Sequence, residues 1–167
     1  MKLLEISGTM KNSIYLALAS VLMTACTDEL IIPLMMPQYT FPTSASQSAT
    51  TVFGHPKDVV FIAATTALLH NGYKITRSDS IAGIITTAQQ NLPITEAQAD
   101  CGLLKMNPLP DNKTTTKTIM TVTIISHKLT VQAEIEAVYQ PTNVTLTCIS
   151  KGVLEQDMVQ KIKAEIR

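Results

Sequence analysis

The chain has 167 residues, with 13 basic and 13 acidic side chains, three cysteines and no tryptophan. That length suits one domain with a buried core. No block of like charge suggests a nucleic-acid grip or an acidic tail, and at 4% aromatic content a stacking platform for bases or sugars is not expected.

The first feature along the chain is an uncharged run, 14–25, built mostly of Leu, Ala, Val and Met and preceded by Lys11. About a dozen residues are too few to span a bilayer but fit the core of a signal peptide. Met10 suits the start of such a leader, because Glu5 is out of place in a basic end. The stretch "SVLMTAC" then resembles the lipobox of bacterial lipoproteins: Leu22, Ala25 and Cys26 fit it, and Met23 stands where Leu is commonest. The resemblance implies that residues 1–25 leave as a signal peptide and that Cys26 carries covalent acyl chains. The competing interpretation is a Cys buried on an N-terminal helix. Each buried methylene contributes about 0.8 kcal/mol, so two or more chains anchor stably where one does not. Thr27, in place of Asp, implies sorting to the outer rather than the inner membrane, although Asp28 follows directly. The expected location is the periplasmic face of a bacterial cell envelope.

After that cleavage 142 residues remain, with 11 basic and 12 acidic side chains, because Lys2, Lys11 and Glu5 are lost. Cys101 and Cys148 remain as an even pair. In an exported compartment they read as one disulfide or, alternatively, as two separate buried thiols. No His lies near either at ligand spacing, so no metal and no cofactor beyond the acyl chains is expected.

Residues 26–54 read as an extended tether. Pro33, Pro37 and Pro42 forbid a helix in its first part, which is nevertheless strongly apolar. Leu30, Ile31, Ile32, Leu34, Met35, Met36, Tyr39 and Phe41 either fold back over the domain or dock into a groove on a partner. Thr43 to Thr51 is Ser, Thr, Ala and Gln and reads as flexible.

The globular domain is expected at 55–167. Pro56 and Asp58 suit a helix start, Val60, Ala63, Ala64, Ala67 and Leu68 recur on one face, and Asn71-Gly72 ends it. A strand, a turn at Ser78-Asp79-Ser80 and a second strand follow, with Gly83 marking a bulge or a close approach. A long loop from Asn91 to Lys117 carries Cys101. Three alternating strands come next: Met120-Val122-Ile124, Leu129 to Ala137, and Val144-Leu146-Cys148, the first two joined by a turn at Ser126-His127-Lys128. Leu154, Met158, Ile162 and Ile166 then form the apolar stripe of a last helix, with acids early and bases late. This pattern predicts an α+β fold of about five antiparallel strands covered on one face by two helices, in the order αββ-loop-βββα.

"VFIAATTALLHNGYKITRSDSIAGIITT" and "CISKGVLE" before the last helix resemble the opening and closing of small envelope lipoprotein domains. Among these are the helix-grip domains of the C-subunit lipoprotein of the outer-membrane barrel assembly machine, which implies an extended N-terminal segment lying on a partner.

Candidate chemistry is sparse. His55, His70 and His127 are not spaced to share a metal. Asp58 and Asp79 suit a helix start and a turn, and Glu134 and Glu136 share one solvated strand face. No phosphate loop, nucleophile elbow or His-Glu-x-x-His occurs. Asn112 and Asn143 head chance glycosylation triplets. The expected function is a non-enzymatic assembly or interaction protein, bound to the membrane by Cys26 and to an envelope protein partner. The alternative is a carrier of a small apolar ligand or lipid between helices and sheet.

Overall fold

The computed structural model describes residues 38–166. Two helices, α1 (Lys57–His70) and α2 (Val153–Glu165), pack against an antiparallel sheet, so the class is α+β.

The centre is a long hairpin of β9 (Thr114–Ile125) and β10 (Lys128–Tyr139), paired along their whole length. Thr, Val and Ile dominate both strands, as a pleated half-buried surface favours. Alternation divides them cleanly. Met120, Val122 and Ile124 on β9, and Leu129, Val131, Ile135 and Ala137 on β10, are buried toward the helices. Thr121, Thr123, Thr130, Glu134 and Glu136 occupy the opposite, open face. Ser126, at φ 54°, turns the hairpin with His127.

On one side of β9 lie β4 (Ile84–Thr87) and β5 (Gln90–Asn91), with β3 (Ile75–Asp79) outside β4. On the far side of β10, β2 (Ala49–Val52) and β11 (Val144–Ser150) share one edge, and β6 (Ala99–Asp100) extends β11. A second, small sheet joins β1 (Tyr39–Thr40), β7 (Leu103–Leu104) and β8 (Asn107–Pro108). The sheets therefore have eight and three strands, where the sequence pattern predicts about five in all. The order αββ-loop-βββα is corrected accordingly: two strands precede α1, and β5 to β8 break up the expected loop. Two-residue strands are too short to show a period, which is why alternation misses them.

The tether expectation changes too. In the described part of 26–54, β1 and β2 are integral to the sheets, so ordered structure begins ahead of Pro56. Ala49-Thr-Thr-Val52 has linker-like composition, but β10 offers it a free edge at Lys128–Val131.

α1 ends as Asn71-Gly72 predicts. The Gly72 amide donates to the Leu69 carbonyl and the Tyr73 amide to Leu68 (3.0 Å each), with Gly72 at φ +79°. This is the paired bonding of a Schellman cap. Gly83 marks a close approach: a Cβ there would lie 2.1 Å from the Ile124 carbonyl oxygen. The β3–β4 turn falls after Asp79, whose carboxylate accepts from the Ala82 amide (2.8 Å). On α2, Met158, Val159 and Ile162 are buried, while Leu154, and Ile166 just past the helix end, pack only partly.

Candidate functional site

The described chain enters at β1, and what holds it there is specific. The Tyr39 hydroxyl donates to the Cys101 carbonyl (2.9 Å), and its ring meets Phe41 edge-on at 5.0 Å. Gly102, at φ +86°, makes room: a Cβ would lie 2.3 Å from the Thr40 carbonyl oxygen and 2.8 Å from the Tyr39 hydroxyl. Burial, with the Asp100 charge second, pushes the Tyr39 phenol up to about 12. Of the expected partner-docking residues, Tyr39 is thus engaged within the domain and Phe41 is exposed. Leu30, Ile31, Ile32, Leu34, Met35 and Met36 lie outside the described residues, as do Cys26 and residues 1–25.

Cys101 and Cys148 are joined as a disulfide. It stands beside the β6–β11 pairing, so the irregular segment from Asn91 onward is stapled into the main sheet. A cavity of about 350 Å³ is lined by Leu104, Lys105, Asn107, Asp111, Lys113 and Tyr139.

The dispersed ionisable residues stay dispersed. His70 Nδ1 is 3.1 Å from Glu165 Oε1, where the ends of α1 and α2 meet. Glu136 accepts from the Gln89 side-chain Nε2 (2.7 Å), and Glu134, Asp58, His55 and His127 are exposed. Among the described residues no three His, Cys, Asp or Glu gather as metal ligands.

One carboxylate escaped the sequence reading. Glu155 is fully buried, and its Oε1 accepts from the Ala133 amide at 3.1 Å. The reason lies in β10. Its outer edge is paired by β2 up to Val131 and by β11 from Ile135 onward. Ala133 falls in the gap, and the first turn of α2 supplies the missing acceptor. Glu155 Oε2 has no partner among the described residues. From sequence, an acid in the first turn of a helix is explained by the dipole alone. Tyr73, also buried, has its phenol raised by burial first and then by Asp157 and Glu155.

Helix α1 offers a candidate contact surface. Val60, Phe61, Ala63, Ala64, Ala67 and Leu68 face inward, yet the outward face also carries Val59, Ile62 and Leu69. Between them the Thr65 hydroxyl donates back to the Phe61 carbonyl (2.8 Å), which turns its polar group onto the helix's own backbone. A helix apolar all round is ordinarily covered on both sides. No protein-family model matches the chain, and no curated protein matches it in sequence.

Proposed function

We propose that the chain is a non-enzymatic, lipid-anchored component of a bacterial cell envelope that works through contacts with other envelope proteins. Cys26 is the attachment point, on the periplasmic face and on the outer rather than the inner membrane. The Cys101–Cys148 disulfide supports an oxidising compartment. The reading is carried by the outward face of α1, where Ile62 and Leu69 are exposed on a helix whose other face already builds the core. Ile62 and Leu69, at i and i+7, have the spacing of docking anchors on a helix. The apolar residues Leu30 to Met36 are the second proposed contact, in an extended form.

The carrier alternative has no observation of its own. Leu68, Met120, Leu129, Ile135, Met158 and Ile162 fill the layer between sheet and helices, and a ligand there would have to displace them.

The test is a photo-crosslinking residue placed at Ile62 in cells, with Glu134 on the open sheet face as the comparison position. Adducts are expected at Ile62 only, and a further Leu69→Glu substitution should remove them without changing the thermal midpoint. Equal adducts at both positions, or none at Ile62, defeat the contact face. Palmitate labelling that persists in Cys26→Ala defeats the anchor.

A further inference from the structure

At the end of the main sheet opposite Tyr139, four elements finish side by side. Val52 on β2 and Ile125 on β9 both stand opposite Lys128 of β10. The Phe53 amide donates to the His127 carbonyl (2.8 Å), and the Ile124 amide to the Gly83 carbonyl (2.7 Å). The Lys57 ammonium donates to the Ile81 carbonyl (2.7 Å), tying the first turn of α1 to the β3–β4 turn. These bonds make the end of β2, both turns and the start of α1 a single surface.

Its composition is unusual for a cluster of turns. Ile81 is 92% exposed, Val52 73% and Ile125 64%. Turn residues are ordinarily polar, since their backbone faces water. Here aliphatic side chains project, with Lys57 and Lys128 between them. Of the nearby carboxylates, Asp58 is exposed, whereas Asp79 accepts from the Ala82 amide and lies 3.9 Å from Arg77. Aliphatic tips among ammonium groups match the boundary between acyl chains and anionic headgroups.

We infer that this pole rests on a bilayer bearing anionic phospholipid, with Ile81 and Ile125 entering the headgroup boundary and Lys57 and Lys128 facing the phosphates. The inference rests on the membrane attachment proposed above. Chain length agrees with it. From Cys26 to Gln38 is 12 residues, a reach of at most about 40 Å. β1 lies near the Tyr139 end, because Leu104, which pairs with Tyr39, lines one cavity with Tyr139. β10 has 12 residues and so spans about 40 Å. The chain ahead of β1 can therefore run the length of the domain and let the pole meet the bilayer that holds Cys26. A second copy fits less well, because a two-fold contact would set the same cationic patch against itself.

The chain has no tryptophan, so Ile81→Trp provides a single indole that can be excited apart from the tyrosines. The protein is made from residue 26 onward with Cys26→Ala, so that neither leader nor acyl chains contribute. Vesicles of phosphatidylglycerol and phosphatidylethanolamine should shift its emission to shorter wavelength, and brominated acyl chains should quench it. Ile125→Asp, or replacement of the vesicles by phosphatidylcholine alone, should weaken binding at least tenfold. Ile62→Asp, on the outward face of α1, should leave it unchanged. The inference is overturned by no shift on anionic vesicles, by equal binding to phosphatidylcholine, by loss of binding in Ile62→Asp, or by a concentration-dependent shift without lipid. None of these readouts depends on acylation, so failure here and failure of palmitate labelling at Cys26 are separate results.

Discussion

Replacing Glu155 with Ala should be among the more damaging single changes in this domain. The substitution takes away the acceptor that the Ala133 amide has in the gap between β2 and β11. Losing a hydrogen bond to a carboxylate costs about 1.5–3 kcal/mol, and the stranded amide stays buried. One methylene, Cγ, leaves the core as well, at about 0.8 kcal/mol. Against this stands relief for Oε2, which has no partner among the described residues and is costly to bury. The balance is a loss of about 2 kcal/mol. Glu155→Gln keeps the side-chain carbonyl as acceptor and removes the charge, so it should cost less than about 1 kcal/mol. Urea unfolding of the three proteins measures both differences from the midpoint at constant slope. Amide exchange at Ala133 should speed up in the Ala variant beyond what the global loss of stability explains. If Ala and Gln prove equally harmful, the carboxylate charge rather than the acceptor at the gap is what matters, and the reasoning fails.

Two further outcomes follow from the N-terminal side. Reducing the Cys101–Cys148 bridge, or substituting both residues by Ser, reopens a 48-residue loop (a sequence separation of 47) and should cost about 4 kcal/mol on the chain-entropy model. Thiol titration of the folded protein carrying Cys26→Ala should find no free thiol, and a reactive thiol there refutes the bridge. Stability should also fall as pH rises from about 10 to about 12. The folded-state pKa of Tyr39 is raised, so the native protein holds its proton where the unfolded chain has lost it. That contribution is present below 10 and disappears as pH passes through the folded value, with Tyr73 acting in the same direction. Tyr39→Phe should flatten this alkaline decline, as read from thermal midpoints against pH, while phenolate absorbance follows the titration. An unchanged slope counts against it.

What could be read in the residues was local. Asn71-Gly72 carries its own stop signal, and the cap forms as written. The alternation in β9, β10 and β11 states its buried face without reference to anything distant. What failed depended on partners far along the chain. Ala49 to Val52 is a strand because β10 leaves an edge for it some eighty residues later, and nothing in its composition says so. Tyr39 belongs to the domain because of a carbonyl 62 positions away. The role of Glu155 depends on a vacancy in a ladder whose register no periodicity predicts. The aliphatic pole did leave a trace, an Ile at the apex of the otherwise polar Ser80-Ile81-Ala82 turn, but a single residue there reads as noise until Val52 and Ile125 are brought beside it.

The route by which β1 joins the fold decides how the domain carries mechanical load. A pull from the N-terminal side of Gln38 is met first by the pairing of β1 with β7 and by the Tyr39 hydroxyl on Cys101. Two residues before β7's first position, at Cys101, a covalent link passes the tension into β11 and the middle of the sheet. β2, held by four register pairs, is shielded as long as that upstream clamp holds. With the bridge reduced, the same tug would reach the sheet only through noncovalent contacts, and the domain should yield at lower force.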